Sequence, residues 1–385
     1  VQHLTLGVIA NSSKTDEQRL PIHPLHLDRV DADLLARMHF EAGYGEPFGI
    51  SDKQLALSVA GIRTRAELIA ESDVILLPKP QAADLAELRV GQVLWGWPHC
   101  VQDQELTQLA IDRKLTLIAF EAMNYWTSEG WFSLHVFHKN NELAGYCSVL
   151  HAMHLHGSTG HYGRRLNAVV IGFGATARGA VTALNALGIH DVHVVTQRGV
   201  TAVGSPIHSA EIVQMDSSDD ADEADTGLYV TTDDDGRIPL AGFLTGHDII
   251  VNCVLQDPNS PQMFLDEADL AEMAPGSLVV DVSCDEGMGF SWALPTTFAD
   301  PTFIVGEDVR YYAVDHSPSY LWNSATWEIS EALLPFLRTV LDGPAAWAED
   351  PTLSKAVEIR DGVIVNPDIL EFQHRGAEYP HAIGD

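Results

Sequence analysis

Six side chains in this sequence combine reactive chemistry with a position just past an apolar run: Arg19, Lys79, His99, Asp285, Asp315 and His316. Arg19 precedes Leu-Pro-Ile-His-Pro24, and a guanidinium there can clamp a substrate carboxylate through two parallel hydrogen bonds. Lys79 stands between Pro78 and Pro80, whose fixed backbone presents its ammonium with little freedom. His99 follows Trp97-Pro98, where an imidazole can pass protons near neutral pH. Asp285 lies within Ser283-Cys-Asp-Glu-Gly-Met-Gly289; its carboxylate suits proton movement or a substrate amine, or simply a turn ahead of Gly287. Asp315-His316-Ser-Pro318 is a further candidate for substrate binding. Taken singly, each is a common structural or solvated residue. Their shared placement beyond strand C-termini, where open α/β sheets form crevices, sets them apart.

The elements that must position them begin with Asn167-Ala-Val-Val-Ile171, which reads as a short buried strand. It feeds Gly172-Phe-Gly174-Ala175-Thr176-Ala177, after which Arg178–Leu187 continues as a helix. A second apolar strand, Val192–Val195, follows at the distance a βαβ unit requires. Gly172 permits the tight turn, Gly174 lets a pyrophosphate approach the helix N-terminus, and Ala177 allows close packing of helix on strand. A lone Gly-x-Gly-x-x-Ala is weak; between a buried strand and a helix it reads as a dinucleotide site. The expected cofactor contacts are Gly172, Gly174, Ala175, Thr176, Ala177, Gln197, Arg198 and Val254. The second strand ends in Thr196-Gln197-Arg198, without the Asp or Glu that bonds a ribose 2′-hydroxyl. Arg198 can pair with a 2′-phosphate, so NADPH is favoured over NADH; as a solvated loop residue it would carry no such preference.

Further apolar runs, Leu4–Ala10, Asp73–Leu77, Val93–Trp97 and Leu115–Phe120, suit buried parallel strands in the first 140 residues. Helical patterns cover His26–Met38, Gln104–Asp112, Asn141 to about Leu155, and Trp322–Leu341. His247–Cys253 and Ser277–Val282 read as further strands of the cofactor domain. Asp361-Gly362 marks a turn between two short strands in Val357–Val365. The fold class is α/β: two Rossmann-like domains, each a parallel sheet with flanking helices, with a cleft between them.

At 385 residues the chain is long enough for two cores, and 46% hydrophobic content is ordinary for a globular protein. A net charge of −32 argues against nucleic acid or anionic membrane, which need clustered Lys and Arg. No apolar stretch approaches a membrane span, and the first residues lack the order of a signal peptide. Cys100, Cys147, Cys253 and Cys284 are widely spaced, which suits a reducing cytoplasm. His151, His154, His156 and His161 cluster, but no carboxylate or thiol motif accompanies them, so no metal is assigned. Acidic residues concentrate in 216–235, read as a solvated surface insertion. The apolar face of Trp322–Leu341 suits either burial within one subunit or a homo-oligomer contact.

Over nearly its whole length the chain resembles the alanine dehydrogenase and pyridine-nucleotide transhydrogenase family. The matching pieces are Gln18-Arg-Leu-Pro-Ile-His-Pro24, Glu41-Ala-Gly43, Leu77-Pro-Lys-Pro80 and Gly91-Gln-Val-Leu94 with His99. Further along come Asn141-Glu-Leu-Ala-Gly145, the glycine loop, Val280-Asp-Val-Ser-Cys-Asp285, Pro295-Thr-Thr297 and Pro301-Thr-Phe303. The resemblance implies a discontinuous substrate domain, 1–140 and 321–385, around a cofactor domain, 141–320. It implies that Arg19 binds a 2-oxo acid carboxylate, that Lys79 holds and polarises the carbonyl, and that His99 and Asp285 handle protons. Tyr312–Trp322, Asn323–Ile329, Gly174–Ala180 and Cys284–Gly289 look more like the opine-forming branch. That branch includes carboxyethylornithine synthase and, more distantly, lysine-forming saccharopine dehydrogenase. There, pyruvate condenses with the side-chain amine of ornithine or lysine and NADPH reduces the imine; Asp315 or Asp285 would hold the amino acid's ammonium groups. Reductive amination of pyruvate with ammonia, and a cofactor-sensing protein without catalysis, are the alternatives.

Overall fold

The computed structural model describes residues 3–198, 207, 209–217, 227–232, 236–256 and 260–384. Two compact units emerge: Val1–His138 with Trp322–Asp385, and Lys139–Leu321.

The first unit carries an eight-stranded sheet in the order Val363–Ile364, Val357–Arg360, Thr116–Ala119, Val93–Gly96, Val74–Leu76, Leu6–Val8, Met38–Glu41, Gly61–Arg63. The six strands from Thr116–Ala119 to Gly61–Arg63 are parallel, and the C-terminal pair is antiparallel. The central strands are apolar on both faces because each face carries its own buried cluster: Val8, Leu76 and Ile118 on one side, Ile9, Ile75 and Leu117 on the other. Strand order reverses between Leu6–Val8 and Val74–Leu76, and the loops leaving that reversal carry Arg19 and Lys79.

Within this unit the helix expected over His26–Met38 is absent. Pro24–Arg29 forms a 3-10 turn, Ala32–Leu35 a single helical turn, and Met38–Glu41 a strand. Val30 and Asp31 both take extended ψ values, 134° and 140°, which interrupts the i to i+4 ladder. Met38 and Phe40 are fully buried beside Leu6–Val8, so their alternation is the strand period of two. The expected helix Trp322–Leu341 breaks after Leu333, where Pro335 imposes a 3-10 turn over Leu334–Phe336; Leu337–Leu341 then resumes. Gln104–Asp112 is helical as read, and Asp361 and Gly362, at φ 51° and 81°, make the turn between the last two strands.

The second unit has a nine-stranded sheet: Gly236–Pro239, Leu228–Thr232, Glu211–Ser217, Asp191–Thr196, Asn167–Ile171, Ile249–Asn252, Leu278–Asp281, Val309–Tyr312, Thr302–Val305. The six strands from Glu211–Ser217 to Val309–Tyr312 are parallel, as expected of a Rossmann-like domain, and antiparallel strands finish both edges. Its order reverses between Asn167–Ile171 and Ile249–Asn252, the point where such sheets bind nucleotides. Of the acidic stretch, 218–226 and 233–235 lie outside the described residues; Asp216 pairs with Arg237 at 3.2 Å.

Candidate active site

In the first unit the strand exits bring Lys79 and His99 together: Lys79 Nζ lies 2.9 Å from His99 Nε2. The strands below hold this pair in register, with Leu77 N–H on the Trp95 carbonyl and Trp97 N–H on the Pro78 carbonyl. Gly96 makes that approach possible, since a Cβ there would collide with the Leu77 carbonyl. The Lys79 carbonyl accepts from the Ser12 hydroxyl. Buried Asp84 accepts from Ser13 and from the Gln81 N–H, so the two loops flanking Lys79 are tied to one carboxylate.

His99 has a left-handed backbone, φ 50°, and its N–H donates to Glu121 Oε1 at 2.6 Å. Burial raises the Glu121 carboxyl above the usual carboxylate range, reinforced by the nearby charge of Glu358; Lys79 opposes the shift. Arg19 is 5% exposed, with its guanidinium 5.2 Å from the Trp97 ring centroid. Its Nε and Nη2 edge is engaged by Glu17, at 2.9 and 2.6 Å. The edge of the fork that the sequence offered to a substrate carboxylate is therefore held by Glu17.

In the second unit, Gly172, Gly174, Thr176, Gln197, Arg198 and Val254 line one cavity of about 350 Å³, together with Phe173, Val195, Thr196, Met215, Cys253, Leu255 and Gln262. Gly172 has φ 113°, and a Cβ there would sit 3.2 Å from the Cys253 carbonyl. A Cβ on Gly174 would meet nothing within 4 Å, so the space before the helix Ala175–Ala186 is open to a ligand. An open space at a helix N-terminus, bordered by glycine backbone, fits a nucleotide pyrophosphate. Ala175 opens the helix without lining the cavity. Ala177 is fully buried in the core, so it packs the helix rather than touching a ligand. Arg198 is exposed at the cavity wall and has no ion pair among the described residues, while its N–H bonds Thr196 Oγ1 at 3.0 Å.

Asp285 stands on a loop anchored beside this cavity, where Ser283 Oγ donates to the Val254 carbonyl at 2.6 Å. Burial pushes its carboxyl above the usual range. Beneath the loop Asp281 is fully buried and accepts from Tyr311 Oη (2.7 Å), Asn252 Nδ2 (3.0 Å) and Cys284 N–H (3.1 Å). Burial pushes it up to about 6, against the pull of those bonds. Asp315 and His316 form a pair at 2.6 Å, but His316 is 2% exposed and edge-on to Phe298, so the imidazole is buried behind the carboxylate. His151 sits in an aromatic slot, stacked on Tyr320 and 3.2 Å from the Tyr312 hydroxyl.

Sequence reasoning missed four residues that build these sites. Glu121 is a lone acid near a strand end with no motif to flag it, and Asp281 stands inside the Val280–Asp285 motif, where Asp285 drew the attention. Gly145 and Gly179 let the helix His138–His156 touch the cofactor helix backbone to backbone: a Cβ on Gly179 would strike the Glu142 carbonyl, and one on Gly145 the Thr176 carbonyl. Two glycines on facing helices were the available signal.

Residues 7–141 match the family model for the N-terminal domain of alanine dehydrogenase/PNT, and residues 158–367 match that for its C-terminal domain. Alanine dehydrogenase of Mycobacterium tuberculosis is 26% identical over 375 residues, covering 93% of this chain and 94% of that protein. The N(5)-(carboxyethyl)ornithine synthase of Clostridium botulinum is 24% identical over 331 residues, covering 82% and 89%. A solved L-alanine dehydrogenase shares the fold, with a TM-score of 0.73 at 19% identity, covering 96% of this chain and 99% of that one. With both domain models matched in order along its length, the chain belongs to the alanine dehydrogenase/PNT family.

Proposed function

We propose that this protein is an NADPH-dependent, opine-type amino-acid dehydrogenase, which condenses a 2-oxo acid such as pyruvate with the side-chain amine of ornithine or lysine and reduces the imine. The observation that carries the reading is the Lys79–His99 pair at 2.9 Å, an ammonium and an imidazole in direct contact with a carboxylate behind them. Arg19 takes the carboxylate of the oxo acid. Lys79 donates to its carbonyl oxygen, drawing charge off the carbon that the amine attacks. His99 accepts the proton the amine sheds and returns one to the departing oxygen, so that water leaves and a C=N bond remains. When bound, the reduced nicotinamide supplies the hydride that turns this imine into a secondary amine. The products are a carboxyethyl amino acid, water and the oxidised cofactor. Asp285 and Asp315 are the carboxylates offered to the ammonium groups of the amine substrate.

The cofactor preference rests on Thr196-Gln197-Arg198, where an exposed guanidinium stands in place of a carboxylate. Ammonia as the amine is the second reading, favoured by relatives named alanine dehydrogenase. Purified protein given pyruvate and NADPH, then ammonia, ornithine, lysine or arginine in turn, separates the two. Oxidation of NADPH with ornithine or lysine is the expected result. Turnover with ammonia alone would replace this reading with alanine formation, and no turnover with any amine would favour a protein that senses its cofactor.

A further inference from the structure

The segment that carries Arg19 is buried without belonging to any regular element. Residues 19–23 are all buried, yet none lies in a helix or strand, so their N–H groups need partners outside a ladder. Arg19 N–H donates to Glu17 Oε1 at 2.9 Å. Leu20 N–H donates to Thr326 Oγ1 at 2.9 Å, across 306 positions of sequence, and Thr326 is fully buried. Ile22 N–H donates to Tyr44 Oη at 2.9 Å, which donates in turn to the Ile22 carbonyl at 2.7 Å. Thr326 belongs to the helix Trp322–Leu333, and Asn323 and Ser330 share its face at helical spacing. Asn323 Oδ1 meets His23 Nε2 at 3.2 Å, and Ser330 Oγ meets His26 Nδ1 at 2.8 Å. The helix also buries Ile329 and Leu333 in the core, so apolar packing by itself accounts for its docking. The polar seam adds something packing does not: it fixes where the segment sits along the helix, one partner to one partner.

We infer that Thr326 is a positioning residue for Arg19, and that its hydroxyl thereby tunes affinity for the carboxylate of the oxo acid. The inference rests on the proposed role of Arg19 as the clamp for that carboxylate. The Cα of Arg19 joins two peptide units; Glu17 holds the N–H of the first and Thr326 the N–H of the second. The backbone is thus pinned on both sides of the residue. Its guanidinium lies 5.2 Å from the ring centroid of Trp97, two residues before His99. Without the Thr326 acceptor the Leu20 N–H is buried and unsatisfied, and the segment regains a partner only by shifting. Any such shift passes directly to Arg19, and misplacing a binding group by about 1 Å can cost on the order of 100-fold.

Thr326→Val and Thr326→Ser test this in the full-length protein. Valine keeps the branched shape and loses the acceptor; serine keeps the acceptor. With pyruvate varied at saturating NADPH and amine, Thr326→Val should raise KM roughly 10- to 100-fold while kcat changes less. Thr326→Ser should restore most of that loss, and NADPH affinity should hold in both. Tyr44→Phe is the control, since it strips the partner from Ile22, three residues past Arg19 in the same segment. It should lower the melting temperature without a comparable rise in KM. A KM unmoved in Thr326→Val, or raised equally in Tyr44→Phe, overturns the inference. Should the valine variant not fold, Thr326→Cys carries the same test, because sulfur accepts only weakly. Amide hydrogen exchange over residues 18–23 reads the hold with no substrate present. It should quicken in Thr326→Val and recover in Thr326→Ser; unchanged exchange overturns the inference. A wild type that turns over no 2-oxo acid removes the proposed function and the affinity claim with it, while the exchange result stands on its own, so the two failures are told apart.

Discussion

Arg198, His99 and Asp281 each carry a separable consequence. If Arg198 reads a 2′-phosphate, Arg198→Ala should weaken NADPH by roughly 10- to 100-fold, the range for a charge-assisted bond, and leave NADH nearly unchanged. Equal losses in a fluorescence titration would remove Arg198 from cofactor choice. His99→Ala should lower turnover by about two to four orders of magnitude while nucleotide affinity holds, because the imidazole and the nucleotide cavity belong to different units. For Asp281, the rise from 3.8 to about 6 is worth on the order of 3 kcal/mol. The folded protein holds this proton more tightly than the unfolded chain does. The associated stability is therefore full below the unfolded value and is lost as pH climbs through about 6. In Asp281→Asn that loss should disappear, since the amide keeps an acceptor for Asn252 and Cys284. Chemical denaturation of both proteins at about pH 4 and pH 7 measures it, and a pH-independent difference would show that burial costs the charge little.

At the scale of elements, the nucleotide turn offers a contrast between two glycines. Gly174 has open space where a Cβ would go and φ −90°, so Gly174→Ala should leave the melting temperature almost unchanged while blocking the pyrophosphate. Gly179→Ala instead drives a methyl into the Glu142 carbonyl and should cost roughly 1–3 kcal/mol. Melting curves paired with nucleotide titrations check both, and similar melting for the two variants would contradict the packing described. The strand, turn and first half of this helix were legible because an apolar run, two glycines and a helical pattern are all local signals. The strands Met38–Glu41 and Gly61–Arg63 were not, because their short stretches of mixed polarity gain strand character only from pairing with Leu6–Val8 and with each other. The Gly145–Thr176 approach was equally hidden, since nothing at Gly145 names its partner. Likewise, His99 could be suspected alone, but Glu121 gains its place only where the fold turns its carboxyl to the His99 N–H.

For the molecule as a whole, the decisive feature is that the first sheet needs the last stretch of chain. Val357, Ile359, Ile364 and Ile369 are all buried against it, and burial of four aliphatic side chains stabilises by on the order of 10 kcal/mol. That rivals the whole stability of a typical domain, about 5–15 kcal/mol. Deleting 357–385 should therefore unfold or aggregate the first unit, as judged by loss of its cooperative transition, while nucleotide binding by the second unit persists. Retention of the transition would mean the C-terminal strands are ornaments. The same arrangement has a bearing on biosynthesis. A ribosome releases Thr116–Ala119 long before it makes Val357, so for some two hundred and forty codons the nascent protein displays an unmated apolar strand edge. Chaperone dependence, and sensitivity to any stop codon that falls ahead of Val357, follow from the late arrival of the strand that covers this edge.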